Sequence, residues 1–316
     1  MSGGEASGLH TTVVVNPAAG GGRAGSVWRE LRAATPELAG AVTLEAADAE
    51  SCRRQLAQAL QRGTERVLVV GGDGTAHLAV NVLLAEDFGD QVAFGLVPAG
   101  TGSDLARSLG LASRPAAALR QVLAAEPRAI DALRVTPVGE TPRYVVNIAS
   151  AGLSGAVVPA VNANPRRGHL TYLSTTLSAL LRYRPVACRI EVDGEPFADD
   201  APFHGGFFLA AFANGQYFGK GMRVAPQARI DDGPLSVVVI PPVPLWHLPY
   251  RMPQFLTGRH VTLPIVRTAR ARRVRLTPAA GFPPFDVDGE SLPAGPAEIH
   301  VLPSALRVLA PASKTI

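Results

Sequence analysis

Residues 67–70, Val-Leu-Val-Val, are four aliphatic residues with no polar residue alternating between them. That pattern fits a strand covered on both faces, as in a parallel sheet. Residues 11–15, 41–44 and 92–97 read as further strands. Between these runs the period changes, and residues 26–34, 48–62, 76–84, 105–108 and 115–125 read as helices. In 48–62, Cys52, Leu56, Ala59 and Leu60 make one apolar face, and Asp48 or Ser51 supplies the cap. Strand and helix alternate, which predicts a parallel sheet wound with helices.

Residues 129–135 lead out of that region, near a boundary expected at 131–136. Strand patterns then crowd together at 143–149, 188–192, 204–213, 235–240, 274–277 and 297–302, with helical patterns only at 172–182 and 246–256. This predicts a β-rich second domain of two packed sheets. The expected fold is two-domain. An α/β domain with a mainly parallel sheet spans 9–133 and is rejoined by 304–316 through residues 306–310. A β-sandwich spans 134–303. A chain of 316 residues is long enough for two cores.

The strand ends carry the chemistry. After 67–70 comes Gly71-Gly72-Asp73-Gly74-Thr75, then a helix. Bare backbone N–H groups and a helix N-terminus make an anion site with room for a phosphate. The plain alternative is a tight turn with Asp73 as helix cap. A carboxylate repels phosphate, so in the anion reading Asp73 reaches a cation or a hydroxyl. Two more small-residue loops follow strands: Asn16-Pro17-Ala18-Ala19-Gly20-Gly21-Gly22-Arg23 and Pro98-Ala99-Gly100-Thr101-Gly102-Ser103-Asp104. The first matches neither the dinucleotide fingerprint nor a Walker loop. Three such loops in one β/α series lie on the same carboxyl edge of the sheet, where such sheets place ligands. Together they predict a phosphate site.

Composition narrows the partners. Aromatic residues are 6% of the chain, which argues against a stacking platform for single-stranded nucleic acid. A net charge of +4 with no recognised binding module gives no reason to expect a nucleic-acid partner. The basic run at Arg267, Arg270, Arg272 and Arg273 reads as the solvated face of a strand or as a patch for anionic headgroups. Cys52 and Cys188 have no metal-like spacing and read as reduced thiols. His77, His169, His204, His247 and His260 stand alone and read as structural. Residues 1–8 read as a disordered lead-in unlike a signal peptide. No run of about eighteen apolar residues exists, so a cytoplasmic chain with no membrane span is expected.

In the second half, Asp286-Val287-Asp288-Gly289-Glu290 places three carboxylates within five residues. Asp286 and Asp288 share a face if the stretch is extended, and Glu290 follows a glycine turn. Such a cluster binds a cation or tunes a base that takes a proton from an alcohol. By composition alone a solvated hairpin turn is the better explanation, and Asp193-Gly194-Glu195 is a similar triplet. The segment from Arg229 to Pro234, with Asp231 and Asp232, is either a cation site or a polar turn. The glycine-rich stretch from Phe212 to Gly221 reads as a lining of an apolar pocket entrance.

Together these segments resemble the diacylglycerol-kinase-type lipid kinases, which include sphingosine and ceramide kinases and bacterial soluble lipid kinases. The likeness rests on Asn16 to Gly20, Gly71 to Thr75, Pro98 to Ala106, Asn214 with Gly219 and Gly221, Ile230 to Gly233, and Asp288-Gly289-Glu290, and it covers nearly the whole chain. It implies ATP contacts at Asn16, Pro17, Ala18, Ala19, Gly20, Thr43, Gly71, Gly72, Asp73, Gly74, Thr75, Ala76, His77, Leu78, Gly100 and Thr101. It implies Glu290 as general base with Asp288 beside it, and Asp73 holding Mg2+ on the phosphates. It implies a second Mg2+ site at Asp232 with the carbonyls of Arg229 and Pro234. Family members usually carry serine at Ala19, asparagine and glutamate at His77 and Leu78, and asparagine at Ser103.

The expected function is an ATP-dependent kinase of a lipid hydroxyl, diacylglycerol to phosphatidate in the simplest case. Rivals are a kinase of another alcohol such as a sphingoid base or phosphatidylglycerol, a non-catalytic nucleotide-binding homologue, and an NAD kinase. The lipid would be met by transient contact with a membrane surface, through residues 240–256 with Trp246 and Tyr250 beside the arginine run; the same stretch reads equally as core packing. A homodimer is compatible with this reading.

Overall fold

The computed structural model describes residues 10–45, 48–100, 102–162, 169–200, 203–244 and 248–312. Residues 1–8, Thr101, Trp246 and His247, named above, lie outside the described residues. The chain divides into two compact units, Met1–Ile130 with Ala305–Ile316, and Asp131–Ser304.

In the first unit, β1 (Thr11–Val15), β2 (Val42–Glu45), β3 (Arg66–Gly71) and β4 (Ala93–Pro98) lie in the order β2-β1-β3-β4. All pair in parallel. Near the chain end, Arg307 and Val308 pair in parallel with Ala93 and Phe94, adding an edge beyond β4. The helices Ala24–Ala33, Ala49–Gln61, Asp73–Ala85 and Pro115–Ala124 pack against these strands. Val13, Val14 and the whole 67–70 run are therefore buried, which is why those strands show no polar alternation. Asp48 caps Ala49–Gln61 by accepting the Ser51 N–H at 2.8 Å. The helix expected after the glycine pentapeptide begins inside it, at Asp73, three residues before its apolar pattern does. Gly72, in extended backbone, is its N-cap.

The second unit is a sandwich. One sheet holds β7 (Ile148–Gly152), β10 (Leu209–Ala213), β11 (Leu235–Ile240), β12 (Arg267–Ala271), β14 (Phe285–Val287) and β15 (Glu290–Leu292), in the order β12-β11-β10-β7-β14-β15. Its neighbouring strands pair antiparallel. The other is built from β5 (Pro127–Pro137), β6 (Arg143–Val145), β8 (Cys188–Val192), β9 (Glu195–Phe197), β13 (Arg273–Pro278) and β16 (Ala297–Leu309). The unit boundaries fall within β5 and β16. A core between the sheets takes Ala210 and Phe212 from β10 and Leu235, Val237 and Val239 from β11. The alternate residues, Leu209, Ala211, Ala213, Val238 and Ile240, join a second core that includes Val224, Ala225 and Val266. A central strand packed on both faces is apolar throughout, and period two disappears from its sequence.

Three expectations change. The strand expected at 143–149 is broken at Val146 and Asn147. The strand expected at 204–213 begins only at Leu209. Ahead of it, Gly206 adopts φ 100° and passes so close to Val186 that a Cβ would stand 2.4 Å from its carbonyl oxygen. The helix Leu153–Asn162 was not anticipated, because its apolar residues and internal Pro159 show no helical alternation.

His260, 1% exposed, is a buried titratable group that couples this unit to pH near neutrality. Its Nε2 lies 2.9 Å from the Val224 carbonyl oxygen and its ring stacks on Phe255 at 4.6 Å. Burial holds its pKa below the usual 6.5, so the native state favours the neutral ring. The unfolded chain then binds the proton more readily. The stability His260 contributes is complete above pH 6.5 and declines as pH falls from there toward its folded value. Denaturant unfolding between pH 7.5 and 5 will show this loss, at no more than about 1.4 kcal/mol per pH unit. In His260→Gln that part of the slope will be missing.

Candidate functional site

Three small-residue loops meet at the carboxyl edge of the parallel sheet in the first unit. After β1, Asn16 Oδ1 accepts the Ala18 N–H at 3.0 Å, which turns the chain, and Gly20, Gly21 and Gly22 all adopt positive φ. A Cβ on Gly20 would sit 2.2 Å from the carbonyl oxygen of Ala99 in the third loop. After β4, the Ala99 N–H donates to Gly71 O at 2.8 Å, tying the third loop to the second. A Cβ on Gly100 would stand 2.5 Å from Gly72 Cα. The glycines at 20, 72 and 100 are therefore contact residues between loops, where main chain packs on main chain.

Asp73 locks this arrangement. Its Oδ2 and Oδ1 accept the N–H groups of Asp104 (3.2 Å) and Leu105 (3.1 Å), at the start of the helix Asp104–Ser108. First-turn N–H groups have no partner within their own helix, and a carboxylate satisfies both their hydrogen bonds and their positive field. Thr75, Ala76, His77 and Leu78 have buried side chains, so this loop presents only Gly72, Asp73 and Gly74 at the surface. Among the described residues no group of three or more His, Cys, Asp or Glu is placed to hold a metal ion. Mg2+ commonly takes only one or two carboxylates, with phosphates and waters completing its shell, so Asp73 fits that use and no all-protein cage is needed. Asn16, Pro17 and Ala18 are exposed, and Ala19 and Gly20 half-buried. Thr43 Oγ1 accepts the indole N–H of Trp28 at 3.2 Å. The arrangement can take a chain of phosphates: no side-chain bulk, converging main chain and a helix N-terminus.

In the second unit, β14 and β15 form a hairpin whose turn residues, Asp288 and Gly289, have φ 52° and 91°. Asp-Gly suits such a turn because it tolerates positive φ. Asp288 leaves the strand at this point, so it does not share an extended face with Asp286. Its carboxylate accepts three consecutive N–H groups, Val146 (3.0 Å), Asn147 (3.2 Å) and Ile148 (2.9 Å), which is what breaks the strand there. Asp286 is buried. It accepts the Gly289 N–H at 2.8 Å and lies 3.1 Å from Ser150 Oγ, which is 2.8 Å from Ser154 Oγ. Two of the three carboxylates hold the turn; Glu290 stands exposed beyond it.

Further groups brace the region. Asn214 Nδ2 donates to the carbonyls of Asp131 and Val146, both at 2.8 Å. Asp131, buried, accepts the Gly233 N–H at 2.7 Å and the Ser304 N–H at 2.9 Å. Sequence reasoning passed over Asp131, although a lone carboxylate inside the apolar residues 129–135 had to find partners. At the acidic turn, Asp232 Oδ2 lies 2.5 Å from Arg270 Nη2, which also donates to the Pro234 carbonyl at 3.4 Å. Arg229 faces Asp231 at 3.8 Å. The arginine run is thus ion-paired at several points. Arg267 meets Asp200, and Arg273 and Arg275 meet Glu298. His300 and the two guanidiniums hold the Glu298 carboxyl down to about 2. Elsewhere in this unit a cavity of about 630 Å³ lies beside the helices Leu153–Asn162 and His169–Arg182, with Ser174, Thr175, Ser178 and Tyr183 among its walls. No sequence pattern announced it.

Two family models together match most of the chain. Residues 10–135 match the family model for the diacylglycerol kinase catalytic domain, and residues 147–310 match that for the YegS C-terminal NAD kinase beta sandwich-like domain. A Mycobacterium tuberculosis protein named diacylglycerol kinase is 33% identical over 276 residues, covering 85% of this chain and 84% of its own. A Stenotrophomonas maltophilia protein named Probable lipid kinase YegS-like is 33% identical over 277 residues, covering 86% of each. The crystal structure of a diacylglycerol kinase from Bacillus anthracis aligns with TM-score 0.69 at 17% identity over 98% of this chain and 99% of that one, which speaks to fold. The chain belongs to the family of diacylglycerol kinases and YegS-like lipid kinases.

Proposed function

We propose that the chain transfers the γ-phosphoryl group of ATP to a lipid hydroxyl, in the simplest case converting diacylglycerol to phosphatidate. The observation that carries this reading is the convergence of three bare-backbone loops on one sheet edge, in a chain of this family. Asn16 to Gly20, Gly71 to Gly74, and Gly100 with Thr101 cradle the triphosphate, and the N-terminus of the helix Asp73–Ala85 faces its charge. Bound Mg2+ would spread the negative charge of the phosphates, with Asp73 as its protein ligand. Glu290 accepts the proton of the attacking hydroxyl as the new O–P bond forms and ADP leaves. Asp288 and Asp286 act on Glu290 through the turn they hold. Phosphoryl transfer asks mainly for such positioning and charge balance.

An amphiphilic acceptor suits the cavity of about 630 Å³, a volume usual for small-molecule sites. Leu177 and Leu181, 51% and 54% exposed and one helical turn apart, are suited to touching a lipid surface. Among the described residues no helix is long and apolar enough to cross a membrane.

Labelled ATP offered with Mg2+ across a panel of lipid alcohols is the test. Labelled phosphatidate is the expected product. A product only with a sphingoid base or phosphatidylglycerol would replace the acceptor, and NADP formed from NAD would replace the reaction. Glu290→Ala should lose about 10²- to 10⁴-fold in turnover, the usual contribution of a positioned base, with ATP affinity retained. A variant whose turnover is unchanged removes Glu290 from this role. Gly100→Ala should do the opposite to affinity: its Cβ pushes on Gly72, and ATP binding measured by calorimetry should weaken by about tenfold or more.

A further inference from the structure

We propose that the counter-charge of the acidic turn from Arg229 to Pro234 is the guanidinium of Arg270, and that this turn takes no divalent cation. The resemblance to bacterial lipid kinases implies Mg2+ there, held by Asp232 and the carbonyls of Arg229 and Pro234. The residues present do not fit that ion. Two of its three ligands already face one nitrogen: Arg270 Nη2 lies 2.5 Å from Asp232 Oδ2 and 3.4 Å from the Pro234 carbonyl oxygen. A metal bonded to those oxygens would share them with a like charge or expel the guanidinium.

The arginine is placed there by the sheet. Arg270 pairs with Ser236 and Ala271 with Leu235, in antiparallel register, directly after Pro234. Ala271 is buried in the core between the sheets, so by strand alternation Arg270 projects from the other face. The remaining acid of the turn, Asp231, faces Arg229 at 3.8 Å, so two arginines stand against two aspartates. Nor does the turn need an ion to keep its shape. Asp131 accepts the Gly233 N–H at 2.7 Å, and its own N–H donates to the Ile230 carbonyl at 2.6 Å.

The inference is independent of which alcohol is phosphorylated, because its test contains neither nucleotide nor lipid. Thermal unfolding of the full chain is followed in EDTA and in millimolar Mg2+ or Mn2+. The wild-type melting temperature should not depend on the metal through Asp232: wild type and Asp232→Asn should show the same metal response. Arg270→Ala should melt several degrees lower in EDTA and recover with added metal, and Arg270→Ala with Asp232→Asn should not recover. Should Arg270→Ala fail to fold, Mn2+ binding to the wild type, read by electron paramagnetic resonance, decides. A bound Mn2+ that disappears in Asp232→Asn overturns the proposal, and equal Mn2+ binding by the two proteins supports it.

Discussion

Backbone N–H groups at breaks in regular structure must be satisfied, and in this protein aspartate carboxylates do it. Asp73 takes the first N–H groups of a short helix. Asp131 takes those of Gly233 and Ser304, and Asp288 those of three consecutive residues at a broken strand. Asp193 takes the N–H groups of Arg272 and Arg273. An ionised acceptor makes a stronger hydrogen bond than a neutral one and can serve several donors at once. Loops that carry little side-chain bulk have few other ways to stay in place.

This use of aspartate explains what the sequence concealed. Asp193-Gly194-Glu195 and Asp288-Gly289-Glu290 look alike, and they fold alike: in each, Asp and Gly take positive φ at a hairpin tip and the Asp carboxylate grips main chain of a neighbouring segment. The motif by itself is a structural device. What distinguishes the second copy is the buried polar network behind it, through Asn214 and Asp131, and no local spacing reports that. The same holds at residue 73, where a carboxylate beside a phosphate loop invites a metal role while its oxygens also cap a helix 31 residues further on.

The parallel sheet was legible because β1, β3 and β4 are buried on both faces and its loops are rich in glycine and alanine. The sandwich was legible as strands, less so in its limits. The break at Val146 and Asn147 and the helix Leu153–Asn162 depend on contacts made far along the chain or on apolar runs without a period. The arginine run was read as either a solvated face or a headgroup patch. Its pairing with Asp200, Asp232 and Glu298 draws on residues from 25 to 67 positions away, beyond any local window.

The grip of Asp288 has a consequence for how this chain can vary. It holds Val146 and Ile148 by their amide hydrogens alone, so the hold itself is blind to the identity of those residues. Drift at these two positions is limited by packing, since both are buried, and by one chemical veto. Proline, which has no amide hydrogen, would remove one of the three donors that hold the turn carrying Glu290 while leaving every acidic residue of the motif in place. A relative could thus keep Asp-Gly-Glu intact and still loosen the geometry around it, through an exchange about 140 positions away.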